Sequence, residues 1–525
     1  MTIGQKIVRL RCGMDISQEQ LAERLGVSRQ SVSKWEMDQA LPQIDKVLQL
    51  AALFSVTTDA LLQDKIELAG GASRTRKGGK YFGTDGFRGK AGAVLNADHA
   101  YQIGRFLGWY YRKADTKPRV VIGKDTRLSS YCFEYAVAAG LTASGADAYM
   151  LHVIPTPGVS FAVRQGDFDC GVMISASHNP FFDNGIKLLD AGGEKMDDAT
   201  LERVEEYLDG KIPDPPFACD GQIGRIVDYS AGRNRYTGYL ISLATNSFKS
   251  LRIGLDCANG ASWMIAPAVF EALGARVSVI GASPDGTNIN KGYGSTHIER
   301  LSDHVRRTGL DIGFAFDGDA DRCLAVDERG EVVNGDHILY ILAKSLKEQG
   351  ALAQNTAVAT VMSNLGLFRA LKAAEIDCDI TPVGDRFLWE SMAKNGYCIG
   401  AEQSGHVILS KYATTGDGIL TAIMLTETLL QKKTSLSKLA SGVQMLPQVT
   451  QNLHVKDKEK VMSNPEIIGL VKSLSEHELA SGRILLRKSG TEPVVRVMVE
   501  ADTQELCERY AEVVISRIKE LGLHE

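Results

Sequence analysis

Beyond residue 80, short apolar runs alternate with stretches of helical period. RVVIG (119–123) leads into YCFEYAVAAGLTASG and then DAYMLHVI (147–154), and the rhythm returns at CGVMISAS, RIGLDCANG, DIGFAFDGDADR and GYCIGAEQSGH. Strand-like runs separated by helical stretches predict βαβ units and an α/β fold. Each run stops abruptly in Gly, Asp, Ser or Asn, and in open α/β sheets ligands sit outside such carboxyl ends. No fixed short repeat and no low-complexity block occurs, which argues against solenoids and propellers.

The first sixty residues follow another pattern. Ser17 and Gln20 form a capping-box signature ahead of Leu21, Ala22 and Leu25, which predicts an amphipathic helix. Gly26 can end that helix in the left-handed conformation, and Ser28 can cap a second helix with Val32 and Trp35 inward. This spacing resembles the Cro/repressor-like helix-turn-helix family over residues 1–62. The resemblance implies DNA as a partner and places Arg29, Gln30, Ser31, Ser33 and Lys34 on the outer face of the recognition helix. Residues 1–62 carry seven basic and seven acidic side chains, a balance unhelpful for phosphate binding, so a bundle used for protein contacts stays open beside DNA binding. Residues 63–80, with two Gly pairs and five basic against two acidic groups, read as a flexible linker.

Composition narrows the rest. At 525 residues, with 44% hydrophobic and 23% charged residues, the chain is expected to fold into several cores. A net charge of −5 gives no whole-chain attraction to nucleic acid or anionic membrane. The nine cysteines are scattered without a CxxC pair, which disfavours a disulfide framework or zinc ribbon. The start lacks the apolar stretch of a leader, and no run of about 18 apolar residues exists. A cytoplasmic protein without a membrane partner is the expectation.

Four loops carry candidate chemistry. In Ile174–Pro180, Ser175, Ser177, His178 and Asn179 follow a strand-like run, and a serine there can accept a phosphoryl group or simply cap a turn. Asp317, Asp319 and Asp321 alternate after IGFAF; in an extended loop such side chains converge from one side, which suits a hard cation, with Mg²⁺ the natural choice. A calcium EF-hand is excluded because Arg322 stands where that loop needs Gly and no helix precedes it. Arg487, Ser489, Gly490 and Thr491, followed by Arg496, form a basic, hydroxyl-rich turn suited to a phosphate dianion. Glu402, Ser404 and His406 offer groups suited to the hydroxyls or amine of a sugar.

Taken in order, FGTDGFRG (82–89), SASHNP (175–180), DGDADR (317–322), EQSGH (402–406) and RKSGTEP (487–493) resemble the signature set of the phosphohexomutase superfamily. GKDTRLSS, DNGIKL, DCANGA, VGDRF, TTGDG and LPQV extend the resemblance to the chain's end. The EQSGH and SGTEP forms favour the branch acting on hexosamine phosphates over those acting on glucose or mannose phosphates. The resemblance implies a four-domain architecture around one cleft: residues 81–232 with the phosphoserine loop, 233–333 with the metal loop, 334–445 with the sugar loop, and a smaller α+β unit at 446–525 with the phosphate loop. Three related α/β domains and one α+β domain would thus follow a small all-α head at 1–62. It also implies that Ser177 is the phosphoserine and that its phosphate holds Mg²⁺ together with Asp317, Asp319 and Asp321. Arg88, His178 and Lys187 would line the phosphoserine. Arg322, Glu402, Ser404 and His406 would face the sugar, and Arg487, Ser489, Gly490, Thr491 and Arg496 its distal phosphate. Lys187 and His406 both remain candidates for moving the hydroxyl proton. Two alternatives stay open: a glucose or mannose phosphate as substrate, and a transcription regulator whose mutase body senses sugar phosphate. A homodimer is the oligomeric state that a helix-turn-helix head suggests.

Two positions depart from the family pattern. Ala320 stands between the second and third Asp, and Ala401 before Glu402, where glycine is usual. A Cβ at either strains the loop if φ is positive there.

Overall fold

The computed structural model describes residues 3–13, 16–36, 40, 42, 44–54, 79–113, 116–479, 481–488 and 494–524. The expected linker 63–80 lies outside the described residues except for its last two positions, and so do Ser489, Gly490 and Thr491. The chain divides into two compact units, 1–77 and 78–525.

The smaller unit contains helices α1 (Ile3–Gly13), α2 (Gln18–Leu25), α3 (Arg29–Glu36) and α4 (Ile44–Leu53). The capping box forms: the Gln20 N–H donates to Ser17 Oγ at 3.1 Å, and Gln20 Oε1 accepts from the Ser17 N–H at 2.7 Å. Gly26 ends α2 at φ 64°, and Ser28 Oγ accepts from the Ser31 N–H at 3.1 Å to start α3. Leu21, Leu25, Val32, Trp35 and Leu50 close the core, and Glu36 pins α3 by accepting from Arg11 and from Gln18 at 2.5 and 2.6 Å. On the outer side Arg29, Gln30 and Lys34 are exposed, while Ser31 and Ser33 are half-buried.

The larger unit holds four sheets. The first orders its strands β1 (Phe82–Gly83), β2 (Gly86–Lys90), β6 (Asp183–Leu189), β5 (Cys170–Ile174), β3 (Arg119–Lys124), β4 (Asp147–Val153) and β7 (Ile226–Asp228). Its centre, β5-β3-β4, is parallel, with helices Leu128–Ala143 and Thr156–Gln165 as crossovers. The second sheet runs β12 (Val332–Val333), β11 (Cys323–Val326), β10 (Ile312–Phe316), β8 (Arg252–Asp256), β9 (Arg276–Ile280), and the third β14 (Asp377–Thr381), β13 (Thr356–Thr360), β15 (Ile399–Ala401), β16 (Val407–Leu409). Last comes an antiparallel sheet, β17 (Gln448–His454), β19 (Val494–Glu500), β18 (Arg483–Lys488), packed under helix Gln504–Glu520.

One apolar cluster passes through the first three sheets, from Val121 and Leu151 through Leu255 and Phe314 to Ala359 and Ile399. Burial of each such large side chain contributes roughly 1.5–3 kcal/mol, so the sheets are held in fixed relation. Helix Ser230–Ser242 runs through the boundary expected at 232/233. Its Tyr236 packs against Phe161 and donates to Asp417 Oδ2 at 2.8 Å, so this helix ties the first sheet's helical layer to the loop after β16.

Candidate active site

Strand β5 is buried at all five positions and delivers Ser175–His178 at its carboxyl end. Ser177 is 1% exposed and takes φ 51°. A left-handed non-glycine residue costs roughly 1–2 kcal/mol, and here it is clamped on both sides. Its N–H donates to Ser175 Oγ at 3.0 Å. Its carbonyl accepts from Arg127 Nη2 at 3.0 Å and from Asn290 Nδ2 at 2.9 Å, one from each of two sheets' connections. Arg127 is itself buried on Asp125, which also accepts from Ser130 at 2.7 Å. The strain therefore persists because the surroundings over-determine it, and it aims Oγ outward from the strand.

That Oγ meets the next loop. It donates to Asp317 Oδ2 at 2.5 Å, and His178 Nδ1 lies 3.3 Å from it. Gly318 sits so close that a Cβ would lie 2.4 Å from the Ser177 carbonyl, so the two loops touch through backbone. Residues 317–322 do not form the extended loop expected from their alternation. They turn between β10 and β11, which are antiparallel, with the Ala320 N–H donating to the Asp317 carbonyl at 3.1 Å. Ala320 takes φ 53° at that turn, so its Cβ is the strained one; Ala401 lies in β15 without positive φ.

The turn still converges the carboxylates. Asp317, Asp319 and Asp321 are buried and each offers an oxygen within 4.8 Å of the others. Asp319 Oδ2 accepts from Thr156 Oγ1 at 2.5 Å and from Lys187 Nζ at 2.8 Å; Lys187 also reaches Asp321 Oδ2 at 3.4 Å. Asp319 Oδ1 and Asp321 Oδ1 are buried without a hydrogen-bond partner. Such orphan oxygens are costly in a low-dielectric interior, and burial plus the charges of Asp321 and Asp319 push Asp317 well above the usual carboxylate range. Burial disfavours the charged form of Asp321 as well, yet Lys187, His406 and Arg322 hold it below its ordinary value. All-oxygen donors with unsatisfied lone pairs fit a hard divalent cation.

The remaining expected groups gather here to different degrees. Burial, then Arg322 and Arg88, lower the His178 pKa to about 4, leaving a neutral ring. Lys187 is buried and yet stays a cation through Asp319, Asp85 and Asp321. The loop 402–406 is drawn to the acidic turn by a bridge between Arg322 and His406. His406 lies 3.8 Å from Asp321 through Nδ1 and 3.8 Å from Asp385 through Nε2. Burial opposes its protonation while Asp321, Asp385 and Glu402 pull the other way and raise its pKa; a doubly protonated ring would, however, turn an Nε2 hydrogen onto the Gly416 N–H. The Gly416 N–H donates to Nε2 at 3.0 Å, and this direct bond decides the tautomer, with one proton on Nδ1 facing Asp321. Glu402 accepts from the Gly384 N–H at 3.0 Å and from Ser404 Oγ at 3.3 Å. On the last sheet Arg487 and Arg496 are direct cross-strand partners. Burial, then Arg496, lowers the Arg487 pKa while Glu402 opposes. Two facing guanidinium groups repel unless an anion joins them.

Sequence reasoning missed Asp85, Lys195, Asp385 and Thr156. Asp85 lies close to Arg88, 3.4 Å from Lys187 and 2.8 Å from Lys195. FGTDGFRG carries Asp85 and VGDRF carries Asp385, but from those motifs the sequence alone singles out Arg88 and neither carboxylate. A cavity of about 280 Å³ opens here, walled by Asp85, Lys187, Lys195, Asp321, Asp385 and His406.

A strained serine locked onto an acidic turn, with the 402–406 loop bridged to that turn, is an arrangement suited to phosphoryl transfer and is built on three α/β sheets. Family models described as phosphoglucomutase/phosphomannomutase alpha/beta/alpha domains I, II and III match residues 79–212, 234–330 and 334–445, and the C-terminal domain model matches 451–516. The chain belongs to the phosphoglucomutase/phosphomannomutase family. A helix-turn-helix model matches 7–61. Curated relatives named phosphoglucosamine mutase are 58% identical over 446 residues in Lachnospira eligens and 55% identical over 444 in Lachnoclostridium phytofermentans, each match covering 85% of this chain and 99% of the relative. A solved phosphoglucomutase/phosphomannomutase family protein from Burkholderia thailandensis superposes with TM-score 0.69 at 24% identity, covering 83% of this chain and 96% of that one.

Proposed function

We propose that the chain is a phosphoglucosamine mutase, interconverting glucosamine 6-phosphate and glucosamine 1-phosphate through a phosphoserine and a bisphosphate. The observation that carries this reading is Ser177 Oγ held 2.5 Å from Asp317 beside two orphan carboxylate oxygens, in a chain 58% identical to a protein of that name.

Asp317, Asp319 and Asp321, with a phosphate on Ser177, would hold Mg²⁺. Bound there, the cation would neutralise charge on the transferring group. The chain's own residues do the rest. Lys187 and Arg88 add fixed positive charge where the loose, anionic transition state develops. The P–Oγ bond of phosphoserine breaks as a P–O1 bond forms to the sugar, whose hydroxyl proton passes to a base. When Ser177 takes the other phosphoryl group back, its own proton leaves toward Asp317 or toward His178, kept neutral 3.3 Å away. Glu402 and Ser404 bind the sugar, with Arg322 and His406 also facing it. Arg487 and Arg496, with Ser489, Gly490 and Thr491, hold the distal phosphate in both substrate orientations. The domain divisions 81–232, 233–333, 334–445 and 446–525 accompany this reading, as does a cytoplasmic location. Turnover of glucosamine, glucose and mannose 6-phosphates by purified protein tests it; preference for glucose or mannose phosphate would overturn the sugar assignment.

The match of residues 7–61 to a helix-turn-helix model, with Arg29, Gln30 and Lys34 exposed on α3, supports DNA binding by the head as a second activity, in a homodimer reading paired half-sites. Gel shifts with genomic fragments across a salt series check this. Arg29→Ala and Lys34→Ala should each weaken binding and reduce the salt slope by about 1 if they touch phosphate, with mutase turnover unchanged; salt-insensitive, sequence-blind behaviour would leave the head a protein-contact module.

A further inference from the structure

Lys195 follows β6 and crosses from the first sheet to the third. Its ammonium has three N–H donors and three acceptors: the Thr84 carbonyl at 3.1 Å, Asp85 Oδ1 at 2.8 Å and Asp385 Oδ1 at 2.7 Å. Each end of this bridge leads to a group that faces the reaction. On the first-sheet side, the other oxygen of Asp85 pairs with Arg88 and lies 3.4 Å from Lys187, whose Nζ donates to Asp319. On the third-sheet side, Asp385 opens helix Asp385–Asn395. The residue before it, Gly384, donates its N–H to Glu402, while Asp385 Oδ2 lies 3.8 Å from His406. A second cross-sheet pair, Arg386 to Asp198 at 2.6 Å, runs alongside.

We propose that Lys195 is a positioning residue of the mutase: by joining the Thr84–Asp85 turn to Asp385 it sets the cations that stabilise phosphoryl transfer in register with the carboxylate that holds the sugar. The chemistry is lost neither from Lys187 nor from Glu402 when Lys195 is removed; what is lost is their alignment across the cleft, and effects of that kind are large because misplacement of reacting groups by about 1 Å costs roughly a hundredfold. The bridge is partly buried, so salt screens it less than a surface pair.

The inference rests on the mutase reading, and the test separates the two. Wild-type enzyme is assayed first with glucosamine 6-phosphate; no turnover there defeats the reading itself. With active wild type, Lys195→Met should lower kcat roughly tenfold and raise KM roughly tenfold, because both ends of the bridge slacken. A mere loss of folded protein lowers the apparent kcat and leaves KM unchanged. Asp385→Asn should give the same KM shift, and the double variant no further loss, since both substitutions break one link. Lys195→Arg, which keeps a cation able to span two carboxylates, should recover most of the activity. Unchanged KM in Lys195→Met, or losses that multiply in the double variant, would overturn the proposal.

Discussion

Ser177 is 1% exposed, and side chains from two sheets' connections grip its carbonyl. Arg487 and Arg496 face one another across a small antiparallel sheet, where both are half-buried. The first region spends conformational strain to place one oxygen against Asp317; the second places like charges together, and under the proposed function a dianion would sit between them. A reacting centre has to be preorganised to a fraction of an ångström. A receptor for a remote phosphate, the role proposed for Arg487 and Arg496, would instead accept the same dianion from a sugar bound in either of two orientations, and paired forked cations suit that task.

The sharpest way to break the contrast is Ser177→Ala. It removes a single oxygen and keeps the clamp, so turnover should fall roughly 10⁴-fold or more with the fold intact; a coupled assay and thermal melting check both halves. Asp319→Asn comes next, with an expected loss of roughly 10²–10³ in kcat and a weaker response to added Mg²⁺. If activity survives EDTA undiminished, the acidic turn is not a cation site. Arg487→Ala should act differently, raising KM roughly tenfold to a hundredfold, in line with the loss of a charged hydrogen bond of about 1.5–3 kcal/mol, while kcat changes less than about threefold. A fall in kcat alone would mean that this region is preorganised too. Ala320→Gly should be the smallest. Relief of about 1–2 kcal/mol of left-handed strain is offset by about 0.5–1 kcal/mol of added chain entropy, leaving a slight gain in melting temperature and activity within about twofold.

What could be read in the sequence follows from the range of the interactions. The capping box of Ser17 and Gln20, the turn at Gly26, and the buried runs of β5 and β10 depend on neighbours a few residues away, so their residue types suffice. The hydrogen bond from Ser177 to Asp317 spans 140 positions, and only the family resemblance joined the two loops. The acidic turn shows a different failure. Alternation at 317, 319 and 321 suggested an extended loop, yet β10 and β11 pair antiparallel and the chain must reverse between them; the carboxylates still converge because Ala320 accepts a left-handed conformation. Lys195 escaped notice because a lysine after a strand carries no local signal, and its meaning arises only when Asp85 and Asp385, from distant segments, close on it.

The central claim is that phosphate resides on Ser177 during turnover. Peptide mass spectrometry of enzyme treated with glucosamine 1,6-bisphosphate, then chased with glucosamine 6-phosphate, addresses it most directly. The account predicts phosphate on the peptide containing Ser177 and its disappearance, with bisphosphate formed, on chase. Phosphate found on another residue, or full turnover with Ser177 never modified, would contradict it.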